Sequence, residues 1–213
     1  ALSAPVDASI VATHLMLMAH SLGIGSTWVM HFDPEAMKNE FNIFREIEKY
    51  CRLIENMGAT MYDGWESFKP KVLDLEWRLN SIGIEMTPCH DDAVPENFIK
   101  AQDGTIYLID WEYSGMNDPM ADFAALFIES EFTEEKKKFF LNEYYNGEVP
   151  SGIEERILCY EIMWDTLWSL WTVLKEAYGE DFGSYGLDRF NRAMANYCRL
   201  NIHYDENKRL AKV

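Results

Sequence analysis

One stretch of this chain alternates in the manner of a β-hairpin, and everything read on either side of it is helical. Asn97 to Ala101 and Thr105 to Trp111 are short apolar or β-branched runs, and Gln102, Asp103 and Gly104 between them supply a turn. Ahead of the hairpin, Phe44 to Met57 sets Phe44, Ile47, Cys51 and Ile54 on one stripe with Gly58 as the stop. A further helix spans about Trp65 to Leu79. Behind the hairpin come Met120 to Ser130, Thr133 to Asn146, and a long helix opened by the capping box Ser151, Gly152, Ile153, Glu154. The last helix runs from about Leu187 to Ile202. Near the start, Asp7 caps a helix whose apolar positions Ile10, Val11, Leu15, Met18 and Leu22 keep helical spacing up to Gly23. The expected fold is α+β, predominantly α-helical, with one small β-hairpin.

Charge narrows the partners. The 36 acidic against 19 basic side chains give a formal charge of -17, which repels phosphate backbones and anionic lipid and suits a cationic small molecule. No nucleic acid and no membrane surface is expected as a partner. Cys51, Cys89, Cys159 and Cys198 stand far apart without a CxxC pair, the pattern of reduced thiols in a cytoplasmic protein. The longest early apolar stretch, Leu15 to Ala19, is too short to span a membrane, and no Lys or Arg precedes it, so a signal peptide is not expected. The first basic residue is Lys38, and that break in composition places a boundary near residues 33–40.

The chemistry is concentrated in PCHDDAVPENFIKAQDGTIYLIDWEYSGMNDPMAD, Pro88 to Asp122. His90, Asp92 and Asn97 spell HxDxxxxN, and a second acid, Asp110, ends the hairpin strand. Phosphoryl transfer depends on positioning and on neutralising phosphate charge. One carboxylate must orient the attacking hydroxyl and accept its proton, while an Asn and another carboxylate offer hard oxygens to magnesium. A loop followed by a tight hairpin can bring Asp92, Asn97 and Asp110 around one cavity.

The runs CHDDAVPENFI and YLIDWEYSGMNDPMADFA resemble the signature of bacterial choline kinases, relatives of the aminoglycoside phosphotransferases with a protein-kinase-like fold. The resemblance covers residues 38–213 and implies a kinase C-terminal lobe. It implies that Asp92 is the catalytic aspartate, that Asn97 and Asp110 are the magnesium ligands, and that His90 and Asp122 support the catalytic loop. Asp91 stands where the family often has Asn.

Trp164, Trp168 and Trp171 recur at i, i+4 and i+7, so their indoles share a helix face. Spacing alone leaves a core stripe and a binding wall both open. The resemblance places Trp168 and Trp171 in a paired-tryptophan cage for a trimethylammonium group, which has no N–H to donate and is recognised by aromatic faces and negative charge. Tyr113, Glu129 and Tyr185 would complete the wall by the same resemblance. Choline is the implied acceptor, ATP with Mg2+ the donor, and ethanolamine remains an alternative acceptor.

Residues 1–37 contain no Lys and no recognisable phosphate-covering loop, so an N-terminal ATP-binding lobe is not expected and activity could be impaired. That segment is similar to the central helix and GxGxxW turn of the nitroreductase family, on Gly23, Gly25, Ser26 and Trp28. It lacks basic residues for an FMN phosphate, so no working flavin site is expected. The domain reading is a nitroreductase-like fragment over 1–37 and a choline-kinase-like lobe over 38–213. Two rival functions stay open: an inactive choline-binding module, and an FMN-dependent reductase. A face left uncovered by a missing lobe would favour self-association.

Overall fold

The computed structural model describes residues 41–111 and 113–210, with side chains to residue 201. The helix expected from Asp7, the Gly23–Trp28 turn and the boundary at residues 33–40 lie outside the described residues. The described part is mostly helical and divides into two compact units. One comprises Asn42–Ile84 with residues 140–210; the other comprises Phe41 with Glu85–Phe139.

In the helical unit, α1 (Ile43–Met57) buries the expected stripe Phe44, Ile47, Cys51 and Ile54 together with Ile43. Asn42 caps it by accepting the Arg45 N–H at 3.0 Å, and Gly58 closes it in the left-handed conformation, φ 66°. α2 (Trp65–Asn80) buries Trp65, Phe68, Val72, Leu75 and Leu79, one face of a helix. The centre is α5 (Ile153–Ala177), in which every residue from Ile157 to Leu167 is buried, as in a helix surrounded on all sides. It packs on α1, on α2 and above all on α6 (Tyr185–Leu210). Phe190 of α6 is enclosed by Tyr62, Trp65 and Phe68, with centroids 5.3, 6.4 and 5.7 Å away. Gly186 sits where a Cβ would collide with Thr172 of α5 and the Tyr62 hydroxyl, so the helices meet there only because that residue has no side chain.

The capping box expected at Ser151 does not form. Gly152 is the residue before the helix, at φ 87°, and no side chain caps α5. The last helix starts two residues earlier than expected and runs on to Leu210.

The second unit holds the hairpin, β2 (Phe98–Lys100) with β3 (Ile106–Leu108), in the register Ile99 opposite Tyr107. Its turn is closed by the Asp103 carboxylate accepting the Thr105 N–H at 3.0 Å and by Gly104 at φ 89°. A second antiparallel pair was not expected: β1 (Thr87–Cys89) with β4 (Gly115–Asn117), Pro88 opposite Met116. β4 feeds α3 (Pro119–Glu129), whose Asp118 cap accepts the Met120 N–H at 2.9 Å with Pro119 at the first helical position. The division between the units falls within α4 (Glu134–Tyr144). Among the described residues no helix is long and apolar enough to cross a membrane.

Polar groups buried inside α5 are all answered. Thr166, Ser169 and Thr172 hydroxyls donate to carbonyls of their own helix, at 2.7, 2.7 and 2.8 Å. Asp165, wholly buried, receives Arg189 at 3.1 Å and a two-pronged contact from Arg192, Nε and Nη2 each at 2.7 Å. Breaking a buried ion pair by removing one partner strands the other charge. Asp165→Ala should therefore lower unfolding stability by about 3–5 kcal/mol in urea titrations. An unchanged midpoint would mean that the arginines reach solvent once the carboxylate is gone.

Candidate active site

β1 delivers the chain to a loop that a carboxylate from α3 holds by its backbone. Asp122, in the first turn of α3, accepts the His90 N–H on Oδ2 and the Asp91 N–H on Oδ1, both at 2.8 Å. Asp91 adopts φ 60°, a left-handed turn that Asp tolerates better than most residues. The chain then folds back through a short 3-10 turn, Pro95–Asn97. The Asn97 amide Nδ2 donates to Asp92 twice, to its carbonyl at 2.9 Å and to Oδ2 at 3.2 Å. HxDxxxxN is thus a clasp in which the Asn fixes the carboxylate of the Asp.

His90 links the loop to the hairpin. Its Nε2 lies 2.8 Å from the Ile109 carbonyl, so that nitrogen carries the proton, and its ring meets Trp111 edge-on at 4.7 Å. The Ile109 N–H in turn donates to the Asn97 carbonyl at 2.9 Å. Asp110, at φ 64° and exposed, follows immediately, presented from a backbone pinned on its N-terminal side.

Electrostatics put Asp92, Asp110 and Glu129 in one field. Burial raises the Asp92 carboxyl above its ordinary range; the Asn97 hydrogen bond and His90 draw it back, and the negative charges of Asp110 and Glu129 raise it further. With Nδ2 committed to Asp92, Oδ1 is the atom Asn97 can offer a cation, and Asp110 adds a carboxylate. Hard oxygens of this kind fit magnesium, but two protein donors do not make a complete shell. Among the described residues no three His, Cys, Asp or Glu side chains converge as a metal site of their own.

Asp91, the first acid of HDD, is a buried group to which the sequence reading gave no role. Asn117 Nδ2 donates to its Oδ1 at 2.7 Å, while Oδ2 is buried with no hydrogen-bond partner. Burial, reinforced by the charge of Asp122, pushes Asp91 up to about 8. Burial raises Asp122 as well, while the two backbone amides it accepts from His90 and Asp91 draw it back towards its charged form. Nothing local in the sequence marks this; Asn117 was quoted in the motif without a role.

Tyr113 is exposed and Glu129 half-buried, and both belong to this unit. Trp168, Trp171 and Tyr185 belong to the helical unit. There Trp164 is core, 1% exposed, whereas Trp168 and Trp171 are half-buried. Trp168 stacks on Trp164 at 6.5 Å and meets Trp171 nearly at right angles, 82° and 5.9 Å. The two outer indoles form a corner, a geometry a simple core stripe would not need. Phe182, which the sequence did not single out, abuts Trp171 at 5.0 Å. Tyr185 is 40% exposed and carries the Arg189 guanidinium 4.5 Å from its ring centroid.

Residues 3–151 match the family model for choline/ethanolamine kinase. Protein LicA of Haemophilus influenzae is 34% identical over 179 residues, covering 80% of this chain and 66% of that protein. The crystal structure of choline kinase LicA from Streptococcus pneumoniae is similar with TM-score 0.69 and 49% identity, over 76% of this chain and 56% of that one. A solved structure of LicA in complex with AMP is similar at TM-score 0.68 and 47% identity, over 76% of this chain and 55% of that one. The chain therefore spans less than two thirds of the length of these relatives. The family match takes in most of residues 1–37, and the nitroreductase resemblance of that segment rests on its sequence alone.

The Asp91 carboxyl generates a pH dependence whose sign is fixed. Between about pH 3.8, its ordinary value, and about 8, the folded chain keeps a proton that the unfolded chain has lost, so stability falls as pH rises through that window. Asp91→Asn removes the titrating group while keeping an Oδ1 for Asn117. The variant should gain stability over the parent progressively up to about pH 8 and level off beyond it, with the gap closing near pH 4. Denaturation midpoints measured across this range check it; parallel curves would show that Asp91 ionises freely.

Proposed function

The chain belongs to the choline/ethanolamine kinase family, and we propose that its site transfers the γ-phosphate of ATP to the hydroxyl of choline, giving phosphocholine. The observation that carries this reading is the Asp92–Asn97 clasp with Asp110 in the same electrostatic field. Asp92 accepts the hydrogen bond of the choline hydroxyl, orients an oxygen lone pair towards the γ-phosphorus, and takes the proton as the new O–P bond forms and the bond to the ADP oxygen breaks. Its raised affinity for a proton suits it to that step. Asn97 and Asp110 would hold the magnesium that accompanies the nucleotide, which when bound neutralises phosphate charge. His90 and Asp122 act through the backbone, keeping Asp92 and Asp110 in place.

Trp168, Trp171 and Tyr185, all in the helical unit, take the trimethylammonium group in this reading; Tyr113 and Glu129 are assigned to the same role by the family resemblance alone. Half-buried indole faces at a corner favour a quaternary ammonium, whose charge is spread over methyl groups and needs no acceptor. A primary ammonium carries three N–H donors that the indole faces leave weakly satisfied, so choline is the preferred acceptor and ethanolamine the poorer one. The LicA complex with AMP supports a nucleotide as the phosphate source.

Two measurements test the reading. Asp92→Asn should lower ADP release with choline and magnesium-ATP by about 100- to 10,000-fold while choline affinity stays within about twofold. Undiminished turnover in that variant would sink the assignment of Asp92 as base. Trp171→Leu and Trp168→Leu should weaken choline binding by roughly 0.5–2 kcal/mol in calorimetric titrations with little change in melting temperature. Trp164→Leu, in the core, should instead lower stability and leave the affinity of the folded protein intact. Loss of stability without loss of affinity in the outer pair would refute the cage.

A further inference from the structure

The corner formed by Trp168 and Trp171 already has a cation beside it, and that cation belongs to the chain. Lys175 lies four residues after Trp171 on α5, and side chains on a helix lean towards its N-terminus, so the lysine stem runs back over the indole. Its Nζ stands 5.5 Å from the Trp171 ring centroid. The same ammonium is bonded to Glu180 Oε1 at 3.0 Å.

The arrangement is built by the way α5 ends. Gly179 takes φ 92°, and the chain folds back so that the Tyr178 and Glu180 N–H groups both reach the Lys175 carbonyl, at 3.0 and 3.2 Å. That reversal brings the Glu180 carboxylate to the Lys175 ammonium. Tyr185, which the same reading places in the cage, also carries an internal cation, but one of a different kind. Arg189 over its ring is 4% exposed and held in place by its bond to the wholly buried Asp165, so it has no freedom to move aside. Lys175 and Glu180 are half-exposed side chains, 36% and 48%, on flexible stems, and the ammonium remains a charge that a second cation would feel.

We propose that Lys175 sets the affinity of the Trp171 wall for a cationic ligand, acting as a tethered ammonium that a quaternary ammonium must displace or tolerate. This rests on the cage reading above. Whether the two cations share one face of the indole or take opposite faces, the sign is the same: a positive charge at Trp171 diminishes its attraction for another. Glu180 moderates the effect by holding part of the lysine charge. Removing either member of the pair therefore shifts choline affinity, in opposite directions.

The test is calorimetric titration of choline into the full chain at low ionic strength, for the parent, Lys175→Met, Lys175→Arg and Glu180→Gln, with melting temperatures recorded alongside. Lys175→Met should bind choline about two- to fivefold tighter, since it keeps the apolar stem and removes the charge. Glu180→Gln should bind it weaker, and Lys175→Arg should stay close to the parent. The differences should shrink as salt is raised, because the pair is partly exposed. A purely structural role for Lys175 would move both neutralising variants the same way, through stability, and would be seen in the melting temperature. If Lys175→Met binds choline no tighter than the parent while Trp171→Leu weakens binding, the inference is overturned and the cage stands. If Trp171→Leu leaves choline affinity unchanged, the cage reading fails, and this inference with it.

Discussion

Two hydrogen bonds from consecutive backbone amides to one carboxylate carry the site. Asp122 holds the N–H groups of His90 and Asp91, and a carboxylate is the one side chain that can accept both without needing a donor partner in return. Its position is itself dictated: β4 pairs with β1, Asp118 caps α3, and the first turn of that helix, where the macrodipole favours negative charge, puts Asp122 beneath the loop that leaves β1. With the His90 backbone fixed, its ring reaches the Ile109 carbonyl, and Asp110 follows as the next residue. The two acidic groups proposed for catalysis and for magnesium, Asp92 and Asp110, are therefore placed by one anchor through two short chains of bonds.

That anchor forces acids together in an apolar setting, and the loop answers with unequal environments. Asp122 has amide donors, Asp92 has the Asn97 side chain, and Asp91 has one amide from Asn117 and an oxygen with no partner. The three therefore divide their roles: Asp122 as the anchor of the loop backbone, Asp92 as a carboxylate with raised basicity, Asp91 as the acid that burial and the Asp122 charge push up to about 8. Asp91 and Asp110 also stand at positive φ, a conformation that costs a non-glycine residue on the order of 1 kcal/mol and persists only where the surroundings enforce it. Strain of this kind beside a clasped Asp is what a site shaped for positioning, more than for stability, would be expected to show.

What the sequence disclosed and what it hid divide by distance along the chain. The β2–β3 hairpin was legible because alternation and turn residues are local, and the α1 stripe because four buried positions recur at helical spacing. The β1–β4 pairing was not, since Pro88 and Gly115 are poor strand residues and their partnership spans the whole loop and hairpin. Ser151 spelled a capping box, yet Gly152 takes the left-handed conformation ahead of α5 and leaves the serine outside the helix. The last helix was expected from about Leu187, but α6 begins at Tyr185 and so includes Gly186, where α5 passes too close for any side chain. His90, Asp92, Asn97, Asp110 and Asp122 could be picked out as a motif. The buried state of Asp91, the edge of Phe182 on Trp171 and the lysine above that indole could not, because each depends on a neighbour that only the fold supplies.

The ion pairs of Asp165 bring the same logic to the helical unit. A buried carboxylate with two arginines is weak evidence for stability, since apolar residues of similar volume would often serve as well. Its geometry does something that apolar residues would not. Asp165 is flanked on α5 by Trp164 and Trp168, and its partner Arg189 lies one turn beyond Tyr185 on α6 with its guanidinium against that ring. Directional bonds from Arg189 and Arg192 to one carboxylate admit a single axial register between α5 and α6, whereas an apolar seam would tolerate a slide of part of a turn. Register between these helices is register between Trp168, Trp171 and Tyr185. The buried ion pair thus fixes the spacing of three aromatic rings on two elements, and such spacing matters for a rigid cation whose attraction to each ring falls away within a few ångströms.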